Sequence, residues 1–301
     1  MKLRPVLRRL TAVVLCLVLM TALAGCFAPG RVTLAALDTP EALLAGEIMA
    51  QQLEGFGLEV VRGQTYSSLY ELEAGMRDGE FDIAAIFLQD ALTGFSVINE
   101  DPIFDNTLAD EIVNNTIRDL FGYMLLELWS VSAGYSLLIY ESLAEGAGID
   151  FFALSAHAPT LTLAAAPSFL DSNGGFAHML DLFGDLQFGE VVTVGFDDFY
   201  DARRLREEMG ADIVAVRATS NGEWFRDAGF VPMGGGLVLW PTNPLAPIVS
   251  EDTIDRLPEV RAVLSPLQFQ IDVMAFNRSL RDISHGLRSI EEAAEELIQS
   301  R

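Results

Sequence analysis

The strongest restriction on the fold is a regular alternation of strand and helix patterns in the first third of the sequence. Three short apolar runs predict buried strands, at Val32–Leu37, Leu58–Val61 and Phe81–Phe87. The two segments between these runs carry apolar residues at helical spacing. The order strand, helix, strand, helix, strand predicts half of an open parallel sheet in an α/β protein.

Local start and stop signals support the two helices. Thr39 is a good N-cap and Pro40 suits the first helical position, while Gly57 marks the end of that helix. For the second helix, either Ser67 or Ser68 fits the N-cap position. The connections are therefore short, as an α/β lobe requires.

The remainder of the chain predicts a second α/β lobe and a helical tail. It offers no internal repeat strong enough to state and no low-complexity linker, so the chain is expected to cross between the lobes more than once. Ser289 and Glu292 form a capping box that opens the last helix. Strands are predicted at Tyr135–Tyr140, Thr160–Ala165, Gly189–Val194, Asp212–Val216 and Leu237–Trp240, with helices at Asp105–Leu128 and Tyr200–Met209.

The first 26 residues have the pattern of a secretion signal. A basic segment precedes an apolar run from Leu10 to Leu23, and small residues follow. Leu23-Ala24-Gly25-Cys26 resembles the bacterial lipobox, which implies removal of residues 1–25, a diacylglycerol and an N-acyl lipid on Cys26, and a tether over residues 26–31. An uncleaved anchor is the alternative, because the apolar run is at the short limit for a membrane span. The lipobox predicts a protein held at the outer face of the cell membrane or on its periplasmic side.

Composition and motifs argue against several classes of function. The net charge of −24 opposes binding to nucleic acid. Its simplest interpretation is a solvated acidic surface, and a preference for cationic ligands is the second. The three histidines show no metal-ligand spacing, and no nucleophile elbow or P-loop occurs. With Cys16 in the signal and Cys26 acylated, no disulfide or free thiol remains. An enzyme, a metal site and a cofactor are therefore not expected.

Three stretches of the sequence together resemble the substrate-binding proteins of glycine betaine, choline and carnitine ABC importers. They are PEALLAGEIMAQQLEGFGLEV from Pro40 followed by AGMRDGEFDIAAIF, TLTLAAAPSFLDSNGGFAHMLDLFG from Thr160, and the tail from Leu257 to Ile298. The resemblance covers nearly the whole chain in order.

The resemblance implies a two-lobed, type II periplasmic-binding-protein-like α/β fold with two crossovers and a helical C-terminal tail. Lobe 1 would span 32–131 plus 241–301, and lobe 2 would span 132–240. The crossovers would fall near 132–135 and 233–239, where Gly234–Gly236 is either a hinge or a plain loop. The implied role is capture of a small solute and its delivery to an ABC permease with a cytoplasmic ATPase. A membrane-anchored sensor or scaffold that binds another small solute is the alternative.

The chemistry of a quaternary amine indicates which residues to consider. Such a cation donates no hydrogen bond, so aromatic faces and negative charge must recognise it, whereas a carboxylate on the same solute needs donors. Binding residues are expected between the lobes, on loops at the carboxyl ends of strands. Position and resemblance together give these candidates: Asp38, Thr39, Tyr66, Ser67, Ser68, Phe87, Tyr135, Phe169, Ser172, Tyr200 and Arg217.

The sequence departs from the resembled family where a carboxylate would bind. Relatives carry an arginine after the Pro-x-Phe-Leu motif, and here Asp171-Ser172-Asn173 follows it. Arg217 is an alternative grip for an anion, or it pairs with an acid on the surface. A cation without a carboxylate, or a different small solute, therefore stays open beside glycine betaine.

Overall fold

A computed structural model describes the chain over residues 30–95, 103–170, 173–184, 186–195, 201–217, 228–235 and 238–299. The predicted signal peptide, Cys26, Ser172 and Tyr200 lie outside these residues, and the side chain of Arg217 is likewise not described.

The first sheet has five strands in the order β2-β1-β3-β10-β4. Strands β2 and β3 run parallel to β1, as the alternating pattern predicts, whereas β10 runs antiparallel to both β3 and β4. The bounds are β1 Arg31–Leu37, β2 Glu59–Tyr66, β3 Ile83–Phe87, β4 Tyr123–Leu125 and β10 Leu245–Ser250.

The second sheet repeats the arrangement of the first, in the order β7-β6-β8-β5-β9. Strands β7 and β8 lie on either side of β6 and run parallel to it, and β5 is antiparallel to both β8 and β9. The two sheets therefore have the same strand topology, each with one antiparallel strand contributed from a distant part of the chain. The bounds are β5 Tyr135–Tyr140, β6 Thr162–Ala165, β7 Glu190–Thr193, β8 Ile213–Arg217 and β9 Phe230–Pro232.

In each sheet an aspartate makes the same two hydrogen bonds to a threonine near the amino end of a strand. In the first sheet the Thr33 amide donates to the Asp82 carboxylate (2.7 Å), and the Asp82 amide donates back to the Thr33 carbonyl (2.8 Å). In the second sheet Thr162 and Asp212 make the same two bonds, both at 3.0 Å. The lobes are thus structural repeats, although sequence analysis detects no repeat.

The helices cover both sheets. Three predicted N-caps are confirmed: Thr39, Ser68 and Ser289 each accept a bond from a backbone amide three residues ahead. The helices are α1 Pro40–Phe56, α2 Leu69–Asp78, α3 Leu88–Gly94, α4 Asn106–Phe121, α5 Glu141–Gly146, α6 Leu154–His157, α7 Pro167–Leu170, α8 His178–Phe183, α9 Ala202–Glu207, α10 Glu251–Arg256, α11 Glu259–Leu264, α12 Leu267–Gln270, α13 Val273–Ser284 and α14 Ile290–Gln299, with a 3₁₀ turn at Ala158–Thr160 and a π turn at Asn173–Ala177.

Two sequence predictions of secondary structure were wrong. The helix predicted at Asp105–Leu128 ends at Phe121, because Gly122 takes a left-handed conformation (φ 69°) and the chain enters β4. The strand predicted at Leu237–Trp240 does not form at its described residues, and the next strand along the chain is β10, which was not predicted.

The helical tail completes the core of the first lobe. Helix α14 lies against α1, and Leu297 joins Leu44, Ile48 and Leu53 in one buried apolar cluster. This explains why α1 is buried on most of its surface, with helices on one side and the sheet on the other. The tail and strand β10 therefore both belong to the first lobe.

Candidate functional site

Both crossovers join the two sheets where parallel strands end. The first crossover leads into Tyr135, the first residue of β5, which pairs with Arg217, the last residue of β8. The second leads into Leu245, the first residue of β10, which pairs with Phe87, the last residue of β3. The carboxyl ends of the strands in both sheets therefore adjoin the crossovers, which places the candidate cleft there.

The two crossovers are bonded to each other as a short antiparallel pair. The amides of Trp129 and Ala133 donate to the carbonyls of Leu245 (2.7 Å) and Asn243 (2.8 Å). The pairing is close, since a Cβ placed on Gly134 would lie 2.6 Å from the Pro241 carbonyl oxygen. The connection between the lobes is thus a double strand of defined geometry.

A polar network fixes the first lobe's edge beside this connection. The buried Asn243 side chain donates to Asp90 Oδ1 (2.8 Å) and accepts from the Gln89 amide (2.7 Å). Its own amide donates to Ser132 Oγ (2.9 Å). Sequence analysis missed Asn243, because its partners are about 110 and 150 residues away and no local pattern signals it.

Three aromatic side chains from separate segments meet at the second lobe's edge. We call Tyr135, Phe169 and Trp240 the aromatic cluster. The ring centroids of Tyr135 lie 5.0 Å from Phe169 and 6.1 Å from Trp240, and those of Phe169 and Trp240 lie 5.5 Å apart, all edge to face. Phe169 is fully buried, Trp240 is buried, and Tyr135 is half-buried, so Tyr135 is the member of the cluster with the most exposed surface.

Trp240 belongs to the aromatic cluster but was not among the predicted site residues. Its indole N–H is buried, and no described residue accepts a hydrogen bond from it. A buried donor without an acceptor is unusual in native proteins and costs stability.

Two predicted residues lie at the carboxyl end of β1. Asp38 is exposed, and its amide donates to the Tyr66 carbonyl (2.8 Å), which holds the loop against β2. The Thr39 hydroxyl caps α1 through the Ala42 amide (3.3 Å). Phe87, at the end of β3, is buried in the core of the first lobe.

Three other predicted residues are engaged in the structure of the first lobe. The Tyr66 ring packs near Phe81, with centroids 5.9 Å apart, and its hydroxyl donates to Glu80 (2.7 Å). Burial, and next the bond to Glu80, raise the pKa of Tyr66 well above its usual value. Ser67 donates to the Glu71 carboxylate from its amide and its hydroxyl, and Ser68 caps α2. The structure does not bring these side chains to the aromatic cluster.

Within the described residues, no group of three or more acidic, histidine or cysteine side chains is placed to hold a metal ion. No helix in that part of the chain is long and apolar enough to cross a membrane.

One family model matches nearly the whole described chain. The family model described as the substrate-binding domain of the ABC-type glycine betaine transport system matches residues 30–300. The comparison with curated protein sequences found no match.

Solved structures share the fold at low sequence identity. A glycine betaine/carnitine/choline ABC transporter structure has a TM-score of 0.72 at 16% identity and covers 89% of this chain and 98% of its own. Apo YehZ from Escherichia coli has a TM-score of 0.68 at 16% identity, with coverage of 91% and 98%. An ABC-transporter choline-binding protein in complex with choline has a TM-score of 0.59 at 14% identity, with coverage of 90% and 88%.

Proposed function

Because the chain belongs to the family of substrate-binding domains of ABC-type glycine betaine transport systems, we propose that it captures a small quaternary amine, such as choline or glycine betaine, between its lobes. The observation that carries this proposal is the aromatic cluster beside the crossovers. A quaternary ammonium group is attracted to the face of an aromatic ring and has no N–H to be satisfied by hydrogen bonding.

Capture requires the lobes to close. The solute contacts the carboxyl ends of the strands of both lobes when they approach, and the bonded pair of crossovers guides that movement. The solute stabilises the closed form only by its better contacts in that form. The half-buried ring of Tyr135 becomes fully covered when the solute is bound between the lobes.

Delivery to a membrane partner completes the proposed role. The chain is carried on the outer face of the cell membrane by lipid on Cys26, with residues 26–31 as the tether. Several acyl chains hold a protein firmly, whereas one holds it weakly. From there the closed, loaded form presents the solute to an ABC permease that is driven by a cytoplasmic ATPase.

Thermal melting of residues 27–301 with a panel of quaternary amines tests the proposal. A ligand at about 100 times its dissociation constant stabilises the folded state by roughly 2.7 kcal/mol, which is a readable shift. We expect choline or glycine betaine to raise the melting temperature, and Tyr135→Ala to abolish the shift. The matched control is Phe56→Ala, which removes an exposed ring at the far end of α1.

The result that would overturn the proposal is a melt that no quaternary amine shifts. The fold would then serve another solute, as in a membrane-anchored sensor. A shift that survives unchanged in Tyr135→Ala would remove the aromatic cluster from the site and leave the solute class standing.

A further inference from the structure

Helix α4 and the chain segment after β4 face each other through polar side chains. The chain reverses at Gly122, so that the residues after Leu125 run back along α4 toward its first residue. Asn114 Oδ1 accepts from the Leu125 amide (3.0 Å), which fixes the register of this contact. Asp110 lies one turn before Asn114 on the helix, and Glu127 lies two residues beyond Leu125. The carboxyl groups of Asp110 and Glu127 are therefore neighbours.

This pair of acids has an acceptor atom without a donor. Glu127 Oε2 is buried and accepts no hydrogen bond from any residue that the structure describes. Asp110 is partly buried beside it. A buried acceptor without a donor is unusual in native proteins, and a second carboxylate next to it makes the arrangement less favourable still. A proton held between the two carboxyl groups removes both penalties, because one carboxyl then donates to the other.

The charged groups around the pair do not offset its charge. Arg77 on α2 pairs with Glu73 and lies over the Phe121 ring, at the carboxyl end of α4. Arg118, in the last turn of α4, pairs with Glu251 at 2.6 Å. Strand β10 and helix α12, which flank the segment after β4, carry no charged residue. The remaining charged side chains on α2, α3 and α4, with the N-cap of α4, are acids: Glu71, Asp78, Asp90, Asp105, Glu111 and Asp119.

We propose that Asp110 and Glu127 form a proton-sharing pair, and that this pair makes the connection between the lobes sensitive to pH. Burial, and next the charge of Glu127, raise the pKa of Asp110 above its usual value of 3.8, in agreement with the geometry. When the pH rises, the shared proton leaves to water and two negative charges remain in a partly buried contact. Their repulsion opposes the packing of α4 against the segment after β4.

The pair is connected to both crossovers. Asn106, at the amino end of α4, donates from Nδ2 to Thr242 Oγ1 in the second crossover (2.7 Å). Glu127 comes two residues before Trp129, whose amide donates to the Leu245 carbonyl where the crossovers pair (2.7 Å). Movement of α4 away from this segment strains both bonds. We therefore expect the pairing of the crossovers to loosen as the pair loses its proton.

NMR titration of the side-chain carboxyl groups of the purified protein tests the shared proton. We expect Asp110 to titrate with a pKa above 3.8. Glu127→Gln removes the neighbouring charge, so the pKa of Asp110 should fall but stay above its usual value, because burial remains. The control Glu111→Gln removes an exposed charge next to Asp110 in the sequence and should change this pKa far less. An Asp110 pKa at or below 3.8 would overturn the proposal.

Melting at successive pH values gives a second result. A pKa that is raised in the folded state contributes stability below the unfolded value, and this stability is lost as the pH rises through the folded pKa. Asp110→Asn keeps the shape and has no proton to lose. Its melting temperature should therefore exceed that of the unmodified protein by an increasing margin between about pH 4 and about pH 8. The exposed control on the same helix, Asp119→Asn, should show no such trend. The same trend in both variants would count against the pair.

Hydrogen exchange of the Trp129 and Ala133 amides tests the connection to the crossovers, since both donate across the crossover pairing. Their protection factors, corrected for the pH dependence of exchange itself, should fall with pH in the unmodified protein and stay constant in Asp110→Asn. Protection that does not change with pH in the unmodified protein would overturn the effect on the crossovers. None of these measurements uses a solute, so their outcomes are independent of the proposed function.

Discussion

At the scale of single residues, Asp82 shows how one carboxylate joins three segments of the chain. It accepts from the Thr33 amide (2.7 Å), from the Thr253 hydroxyl and from Arg256 Nη2 (3.2 Å). Asp82→Ala leaves a strand amide and a hydroxyl without an acceptor. We expect a loss of about 2–3 kcal/mol in the free energy of unfolding, measured by urea denaturation.

Asp252 provides the matched control for this prediction. It pairs with the same Arg256 at 2.9 Å but its side chain is 80% exposed. Because exposed ion pairs contribute little, Asp252→Ala should lower the free energy of unfolding by less than about 0.5 kcal/mol. Equal losses of unfolding free energy in the two variants would mean that the hydrogen bonds of Asp82 stabilise the protein no more than an exposed ion pair does.

Glu47 predicts a pH dependence of stability. Burial alone would raise its pKa, but hydrogen bonds from Arg62 and Gln51 and the charge of Arg62 lower it below the usual value of 4.5. A lowered pKa in the folded state contributes stability above pH 4.5 that is lost as the pH falls through the folded pKa. We expect the free energy of unfolding to decline less in that range in Glu47→Gln than in the unmodified protein, in urea titrations at successive pH values. Parallel declines in both proteins would contradict this.

How far residues could be predicted from the sequence depended on the distance to their partners. The caps Thr39, Ser68 and Ser289 were predicted because each binds an amide three residues away. Trp240 was not, because its neighbours Tyr135 and Phe169 come from other segments. Tyr66 was chosen because it comes after a predicted strand. The sequence gives no sign that its hydroxyl donates to Glu80, which is 14 residues away.

At the scale of elements, the paired crossovers make a specific prediction at Gly134. A Cβ at this position would meet the Pro241 carbonyl oxygen at 2.6 Å, closer than Cβ atoms approach backbone. Gly134→Ala should therefore push the crossovers apart, lower the melting temperature and weaken solute binding together. Overpacking of this kind costs about 1–3 kcal/mol.

Gly146 offers the control for Gly134. It lies at the end of α5, and a Cβ there would meet nothing within 4 Å. Gly146→Ala should leave solute affinity unchanged and raise stability slightly, because alanine favours helix. Melting and titration with choline would be measured on both variants. Unchanged affinity in Gly134→Ala would show that the spacing of the crossovers does not govern the cleft.

Sequence analysis missed strand β10 for a physical reason. Strand β10 carries Pro247 in its middle, and a proline inside an apolar run argues against a central strand. The strand forms because its neighbours β3 and β4, far away in the sequence, provide pairing on both sides. The parallel strands β1, β2 and β3 were predicted because local helices connect them and restrict their order.

At the scale of the whole molecule, the repeat between the lobes is visible only after folding. Strands β1 and β6 both contain Thr-Leu-Ala-Ala, at residues 33–36 and 162–165, and the aspartate that bonds to each of them is followed by isoleucine, at 82–83 and 212–213. These matches are too short to be distinguished from chance in a chain rich in alanine and leucine. They can be recognised as parts of a repeat only because the two sheets have the same strand order.

The acidic balance of the chain predicts how salt affects the whole molecule. Its formal net charge is −24, and the predicted signal peptide, residues 1–25, contains basic groups and no acids. Like charges on one folded surface repel each other, and salt screens this repulsion beyond about 10 Å at 0.1 M. Salt also weakens the exposed ion pairs, such as Arg118 with Glu251, but each of these contributes only about 0–1 kcal/mol. Repulsion should therefore dominate.

We expect the melting temperature at pH 7 to rise by several degrees when sodium chloride is raised from about 0.01 M to about 0.5 M, and the rise to vanish near the isoelectric point of about 4.3. Sucrose, which stabilises without screening charge, is the control, because its effect should not depend on net charge. A melting temperature that falls with salt at pH 7 would mean that the ion pairs outweigh the net repulsion.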